Sequence, residues 1–162
     1  MAEGLCAVAH AGFAAASTRR LAAQAGWKVL DDDGVVLNFQ FMLDGEPRVV
    51  AVEARETGCP PLAFAALAYF DETGPGVAAM HDAFDNIRAA LAQTLGAPTF
   101  TGRHQDEQRT GWDYGYAWWS RPDASLVLVQ DEFDIQFGLD VSLWAFPAST
   151  TFAVPVSRYW ET

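Results

Sequence analysis

Cysteine is scarce, with two residues, Cys6 and Cys59, in a chain of 162. One lies in an Ala-rich stretch and the other before Pro60-Pro61, so they build no disulfide framework and read as free thiols of a reducing cytosol. Neither adjoins a Lys, Arg or His that would lower its pKa and activate it. Long apolar runs are absent too: no 18-residue uncharged stretch is available to cross a membrane as a helix. Leu5 to Phe13 followed by Ala14-Ala15-Ala16 has the outline of a signal peptide, but Glu3 stands where a basic segment belongs, and the expected location is cytoplasmic. Cations are also few, 10 Lys plus Arg against 21 Asp plus Glu, for a formal charge of −11. That field repels phosphate backbones and anionic lipid, which excludes nucleic acid and membrane surfaces as partners and favours a more basic protein.

Catalytic and metal signatures are missing as well. The three histidines, His10, His81 and His104, stand apart, and none has another His or Cys at a metal-ligand spacing. His81-Asp82 are adjacent, so on a helix they point about 100° apart and do not form a general-base pair. Asp31-Asp32-Asp33-Gly34 has the composition of a calcium loop, yet the sixth position is Val36 and the twelfth Met42, where that motif needs Gly and Glu. It reads as a hairpin turn. Gly74-Pro75-Gly76 is followed by no Gly-Lys-Ser/Thr, and no Gly-x-Ser-x-Gly elbow occurs. No enzyme, metal or cofactor is therefore expected.

What is present is apolar and aromatic substance: 51% hydrophobic and 13% aromatic residues. A chain of this length buries about 70% of its extended surface without a staple. One α+β domain spanning 1–162 is expected, with 147–162 as a tail packed across it. Leu5 to Ala25 favours helix, with a possible break at Ser17 or Thr18 and Gly26 as the residue just past its end. Trp27 to Leu30 and Val35 to Leu43 read as strands, and Asp44-Gly45-Glu46-Pro47 turns the chain into a third, Arg48 to Glu56. For either a two- or a four-residue loop, Leu37, Phe39 and Phe41 share a face with Val50 and Val52.

Leu62 to Phe70 is apolar throughout; its alanines favour helix and its length favours strand. Val77, Met80, Phe84, Ile87, Leu91 and Leu95 then recur at helical spacing, ended by Gly96 and Pro98. A short extended piece, Thr99 to Thr101, precedes a polar loop from Gly102 to Gly111. Trp112 to Ser120, Ser125 to Glu132 and Ile135 to Phe146 form an antiparallel meander, with turns at Pro122-Asp123 and near Phe133. The whole predicts a two-layer α+β fold, a largely antiparallel sheet with two main helices on its core face.

A tight turn at Pro122-Asp123 sets Ser120 opposite Ser125, Trp118 opposite Val127, Tyr116 opposite Val129 and Tyr114 opposite Asp131. Ala117, Trp119, Leu126 and Leu128, matched to Ile135, Phe137, Leu139, Val141 and Leu143, make the core face. Tyr114, Tyr116, Trp118, Asp131, Gln136, Asp140 and Trp144 fall on the other, where rings beside polar groups have the composition of an interface hot spot. These seven are the candidate partner-binding residues. The alternatives are that the first helix or the Tyr159-Trp160 tail covers this face, or that two copies pair through it.

In its small size, acidity, aromatic content and α+β pattern, above all over Trp112 to Phe146, the chain resembles the immunity proteins of bacterial toxin systems. That resemblance implies a cytosolic protein docking on a more basic toxin, with charge steering the encounter and the rings prolonging it. A secretion chaperone that holds an effector segment is the nearest alternative. A small-ligand or enzyme domain with a pocket between the sheet and the second helix is the other.

Overall fold

The computed structural model describes residues 1–53, 62–105, 113–134 and 138–148. Among these, three helices and eight strands follow in the order α1 (Ala2–His10), α2 (Ala15–Gln24), β1 (Lys28–Asp32), β2 (Val36–Leu43), β3 (Glu46–Glu53), β4 (Leu62–Phe70), α3 (Gly74–Leu95), β5 (Phe100–Gln105), β6 (Asp113–Ser120), β7 (Ser125–Asp134) and β8 (Gly138–Phe146). The strands form one antiparallel sheet in the order β1-β2-β3-β4-β8-β7-β6-β5. This is an α+β fold. The chain groups into two compact units, the first Met1–Leu67, Ser120–Leu126 and Leu143–Thr150, the second Ala68–Trp119, Val127–Ser142 and Thr151–Thr162.

In the first unit the expected single helix is two. The break falls at Gly12-Phe13 and not at Ser17 or Thr18, because the α1 end closes as a Schellman motif: Gly12 N–H donates to the Ala9 carbonyl (2.9 Å) and Phe13 N–H to Val8 (3.1 Å). α2 ends the same way, with Gly26 N–H on Ala23 (3.1 Å) and Trp27 N–H on Ala22 (2.8 Å). Gly12 and Gly26 both sit in the left-handed region, at φ of 69° and 73°, which glycine enters without steric cost.

The β2–β3 hairpin turns on two residues, Asp44 and Gly45, since Leu43 pairs with Glu46. That register puts Leu37 beside Val52 and Phe39 beside Val50, and all four are fully buried. Trp27 packs on the same side, with ring centroids 6.1 Å from Phe39 and 6.3 Å from Phe41. α1 lies directly over Trp27: a Cβ on Gly4 would come within 2.8 Å of the indole. Each large apolar side chain so buried contributes roughly 1.5–3 kcal/mol, and this packing holds α1 to the sheet.

Leu62–Phe70 is strand, not helix, and its alanines pair with the interior of β3 (Val52 with Ala63, Val50 with Ala65). Ala63 and Ala65 are fully buried.

In the second unit, Thr73 caps α3, its Oγ1 accepting from Gly76 N–H at 3.1 Å. Met80, Phe84 and Leu91 form the buried stripe of this helix. Two boundaries differ from the sequence reading. Residues 102–105, assigned to a polar loop, belong to β5 and pair with β6 (Gly102 with Tyr116, His104 with Tyr114). β7 runs on to Asp134, through the expected turn near Phe133. Backbone pairing overrides polar composition at these edges. Cys59, residues 106–112 and 135–137, and the expected tail packing by Tyr159-Trp160 lie outside the described residues.

Candidate functional site

β6 alternates two sets of side chains. Arg121 N–H donates to the Ala124 carbonyl at 2.9 Å, closing a two-residue turn at Pro122-Asp123 and fixing the parity of β6 against β7. One set, Gly115, Ala117 and Trp119, faces α3. Phe84 lies so close to Gly115 that an added Cβ would come within 2.9 Å of its ring, and Trp119 Nε1 donates to the Gly96 carbonyl at 2.9 Å.

Gln130 completes this layer and is 1% exposed. Its Oε1 accepts from Gly115 N–H at 2.6 Å, and its Nε2 donates to the Met80 carbonyl at 3.1 Å. His81 Nδ1, half-buried on α3, lies 3.1 Å from the same Nε2. The same ring nitrogen lies 3.2 Å from Gln130 Oε1, and the direction of the bond depends on the histidine tautomer. Met80, Phe84, Trp119 and Gln130 thus pack between α3 and the sheet.

The other set, Tyr114, Tyr116 and Trp118, is the candidate partner-binding face. The structure does bring these three together, with Phe100 of β5 stacked on Tyr116 at 6.0 Å and 24°. The sequence left open whether these rings are bare or covered, and the structure buries the two tyrosines. Tyr114 is 6% exposed, Tyr116 4% and Asp140 1%. Val127, Val129 and Ser142 are buried as well, so β6 to β8 are enclosed on both faces, as in strands whose two sides both serve as interior. Ser142 Oγ donates to the Asp140 carboxylate, and burial pushes the Tyr116 phenol above its ordinary pKa. Side chains enclosed in this way pack the interior.

Trp118 stays half-buried at the margin. Trp144 is also half-buried, but it belongs to the first unit, where it packs against Phe64 at 4.5 Å and Phe146 at 6.3 Å. Asp131 lies on β7, its side chain outside the described residues, and Gln136 is outside them altogether. Sequence reasoning missed Gln130, although a polar residue in phase with Leu126 and Leu128 was the available signal. It also missed the opposite side of the β2–β3 hairpin, where Met42 and Val49 are exposed.

The acidic loop is ordered. Asp32 holds Arg19 through two bonds, from Nε at 2.6 Å and Nη2 at 2.8 Å. Asp33 Oδ1 accepts from Val35 N–H at 2.8 Å and Val36 N–H at 2.7 Å. The Arg19 guanidinium holds the Asp32 carboxyl below its usual pKa, and the two amide donors do the same for Asp33. Burial pushes the Cys6 thiol up, which suits an inert core residue and not a nucleophile. Among the described residues no cluster of His, Cys, Asp and Glu is placed to hold a metal ion, and no helix is long and apolar enough to cross a membrane.

The chain matches the model of a family of unknown function (DUF6301) over residues 13–137 and belongs to that family. The match runs from Phe13 through β7, so α1 and β8 lie outside it. No curated protein and no solved structure matches the chain.

Proposed function

We propose that this chain is a cytosolic, non-enzymatic protein-binding module that takes a partner more basic than itself, in the manner of the immunity proteins it resembles. The observation that carries this reading is its charge. A formal −11 on 162 residues is a long-range field that draws in a cationic surface and repels nucleic acid and lipid. The loop carboxylates of Asp32 and Asp33 stay ionised, because both are held below the ordinary carboxylate range. Of the seven candidate residues, Trp118 in the second unit and Trp144 in the first are half-buried, while Tyr114, Tyr116 and Asp140 are buried.

Depletion of the chain in its native host provides the test. The expected outcome is loss of viability that is relieved by inactivating one second gene, whose product binds this chain with an association rate that falls steeply as salt is raised. Harmless depletion together with no salt-sensitive protein complex refutes the reading.

A further inference from the structure

The sequence holds two Asp-Gly steps, Asp33-Gly34 and Asp44-Gly45. Glycine has no side chain to shield its amide nitrogen, so in such a step that nitrogen can approach the carboxyl carbon of the aspartate before it. The two steps stand in turns of opposite character.

At Asp33-Gly34 both reacting groups are engaged. Gly34 N–H donates to Asp32 Oδ1 at 3.0 Å, and Asp33 Oδ1 accepts from Val35 N–H at 2.8 Å and Val36 N–H at 2.7 Å. Asp32 is fixed in turn by Arg19. Bringing the Gly34 nitrogen onto the Asp33 carboxyl carbon would break these three bonds to the loop. The two amides also hold the Asp33 carboxyl below its ordinary pKa, which depletes the protonated form that can lose water.

Asp44 and Gly45 are both exposed, and among the described residues neither the Asp44 carboxylate nor the Gly45 N–H has a hydrogen-bond partner. Their φ values of 52° and 83°, in a two-residue loop closed by the Leu43–Glu46 pair, are those of a type I′ turn. Rotating the one peptide between them gives a type II′ turn, which closes the same hairpin and leaves both strands in place. In that turn the first residue keeps its positive φ while its ψ becomes about −120°. At that ψ the Gly45 nitrogen eclipses the Asp44 Cβ, the arrangement a five-membered ring through Cγ requires.

We propose that Asp44-Gly45 is a site of spontaneous isomerisation to isoaspartate, and that the loop bonds protect Asp33-Gly34 from the same reaction. The Gly45 nitrogen gives its proton to solvent and attacks Cγ of the protonated Asp44 carboxyl. The N–Cγ bond forms, the Cγ–OH bond breaks, and water leaves a succinimide. Water then opens the ring at either carbonyl: cleavage of N–Cγ restores aspartate, and cleavage of the original peptide bond leaves isoaspartate. Nothing is oxidised, and the water lost is returned. The product carries one extra methylene in the main chain of the turn and a free α-carboxylate, the substrate class of S-adenosylmethionine-dependent isoaspartyl methyltransferases.

The test incubates the full chain for weeks at neutral pH, folded and in concentrated urea. Isoaspartate is labelled with a purified isoaspartyl methyltransferase and radioactive S-adenosylmethionine, and the label is located by peptide mapping. In the folded chain, label at Asp44 should exceed label at Asp33 by about fivefold or more, the factor for breaking one hydrogen bond. In urea the two steps should converge. Asp32→Ala, which takes the acceptor from Gly34 N–H, should raise label at Asp33 and leave Asp44 unchanged. No label at Asp44 in the folded chain, or as much at Asp33, overturns the proposal. A preference for Asp44 that persists in urea assigns it to local sequence and not to the turn, and overturns it too. Unchanged label at Asp33 in Asp32→Ala overturns the protection.

Discussion

Replacing Gln130 by Leu separates the polar tie under α3 from the apolar packing around it. Leucine has nearly the same volume, so little cavity opens, but Gly115 N–H loses the amide oxygen that accepts from it at 2.6 Å. A buried donor left without a partner costs about 1–3 kcal/mol, and the lost bond to the Met80 carbonyl adds about 1 kcal/mol. The expected destabilisation is therefore about 2–4 kcal/mol. Urea unfolding followed by far-ultraviolet circular dichroism reads this as a midpoint lowered by about 1 M or more at unchanged slope.

A second substitution sharpens the test. In Gly115→Ala the new methyl lies 2.9 Å from both Gln130 Oε1 and the Phe84 ring, an overpacking worth about 1–3 kcal/mol. Gln130→Ala removes one of the two obstacles, so the double variant should lose less than the sum of the singles by about 0.5 kcal/mol or more. A loss under about 0.5 kcal/mol in Gln130→Leu, or strict additivity in the cycle, would show that the amide does not join helix to sheet as described.

Two further outcomes test the local structure. Thr73→Ala removes the side-chain acceptor at the start of α3 and should cost about 1 kcal/mol, a melting temperature lower by about 2–4 °C, with Thr73→Ser restoring most of it. Asp33 has its folded pKa below the free value of 3.8, so its stabilisation is present above that value and disappears as acid protonates the folded carboxylate. Urea midpoints measured from about pH 5 to pH 2 should fall less steeply in Asp33→Asn than in the parent, and parallel curves would refute the loop assignment.

The parts of the fold legible in the sequence are those where one periodicity meets one boundary. Alternation in Val36 to Leu43 settled which side of the β2–β3 hairpin is interior whichever loop was chosen. The apolar spacing of α3, between Thr73 and Gly96, left no competing reading. Leu62 to Phe70 was not legible, because a strand buried on both sides loses its alternation and only its neighbours β3 and β8 decide the matter. The helix break was misplaced for a related reason: Ser17 and Thr18 are good caps in isolation, but Gly12 ends α1 first and Thr18 is buried inside α2.

The candidate site was half legible. The register of β6 against β7 correctly gathered Tyr114, Tyr116 and Trp118 onto one side. Exposure is a property of what lies above a sheet, and no local pattern in β6 reports it. The same limit hid the exposure of Met42 and Val49, which look in sequence like any residues of a strand.

The strand order also has a consequence for synthesis. β4 lies between β3 and β8, and β8 is the last of the described strands to be made. While the ribosome adds the intervening residues, at about 5–20 per second, Leu62 to Phe70 waits with one side of its backbone unmatched and an almost wholly oily sequence on show. Such a segment invites pairing between neighbouring nascent chains. The time between translation of β4 and of β8 is thus the interval in which this protein is most exposed to misassembly, and slow codons or a late stop there would lengthen it.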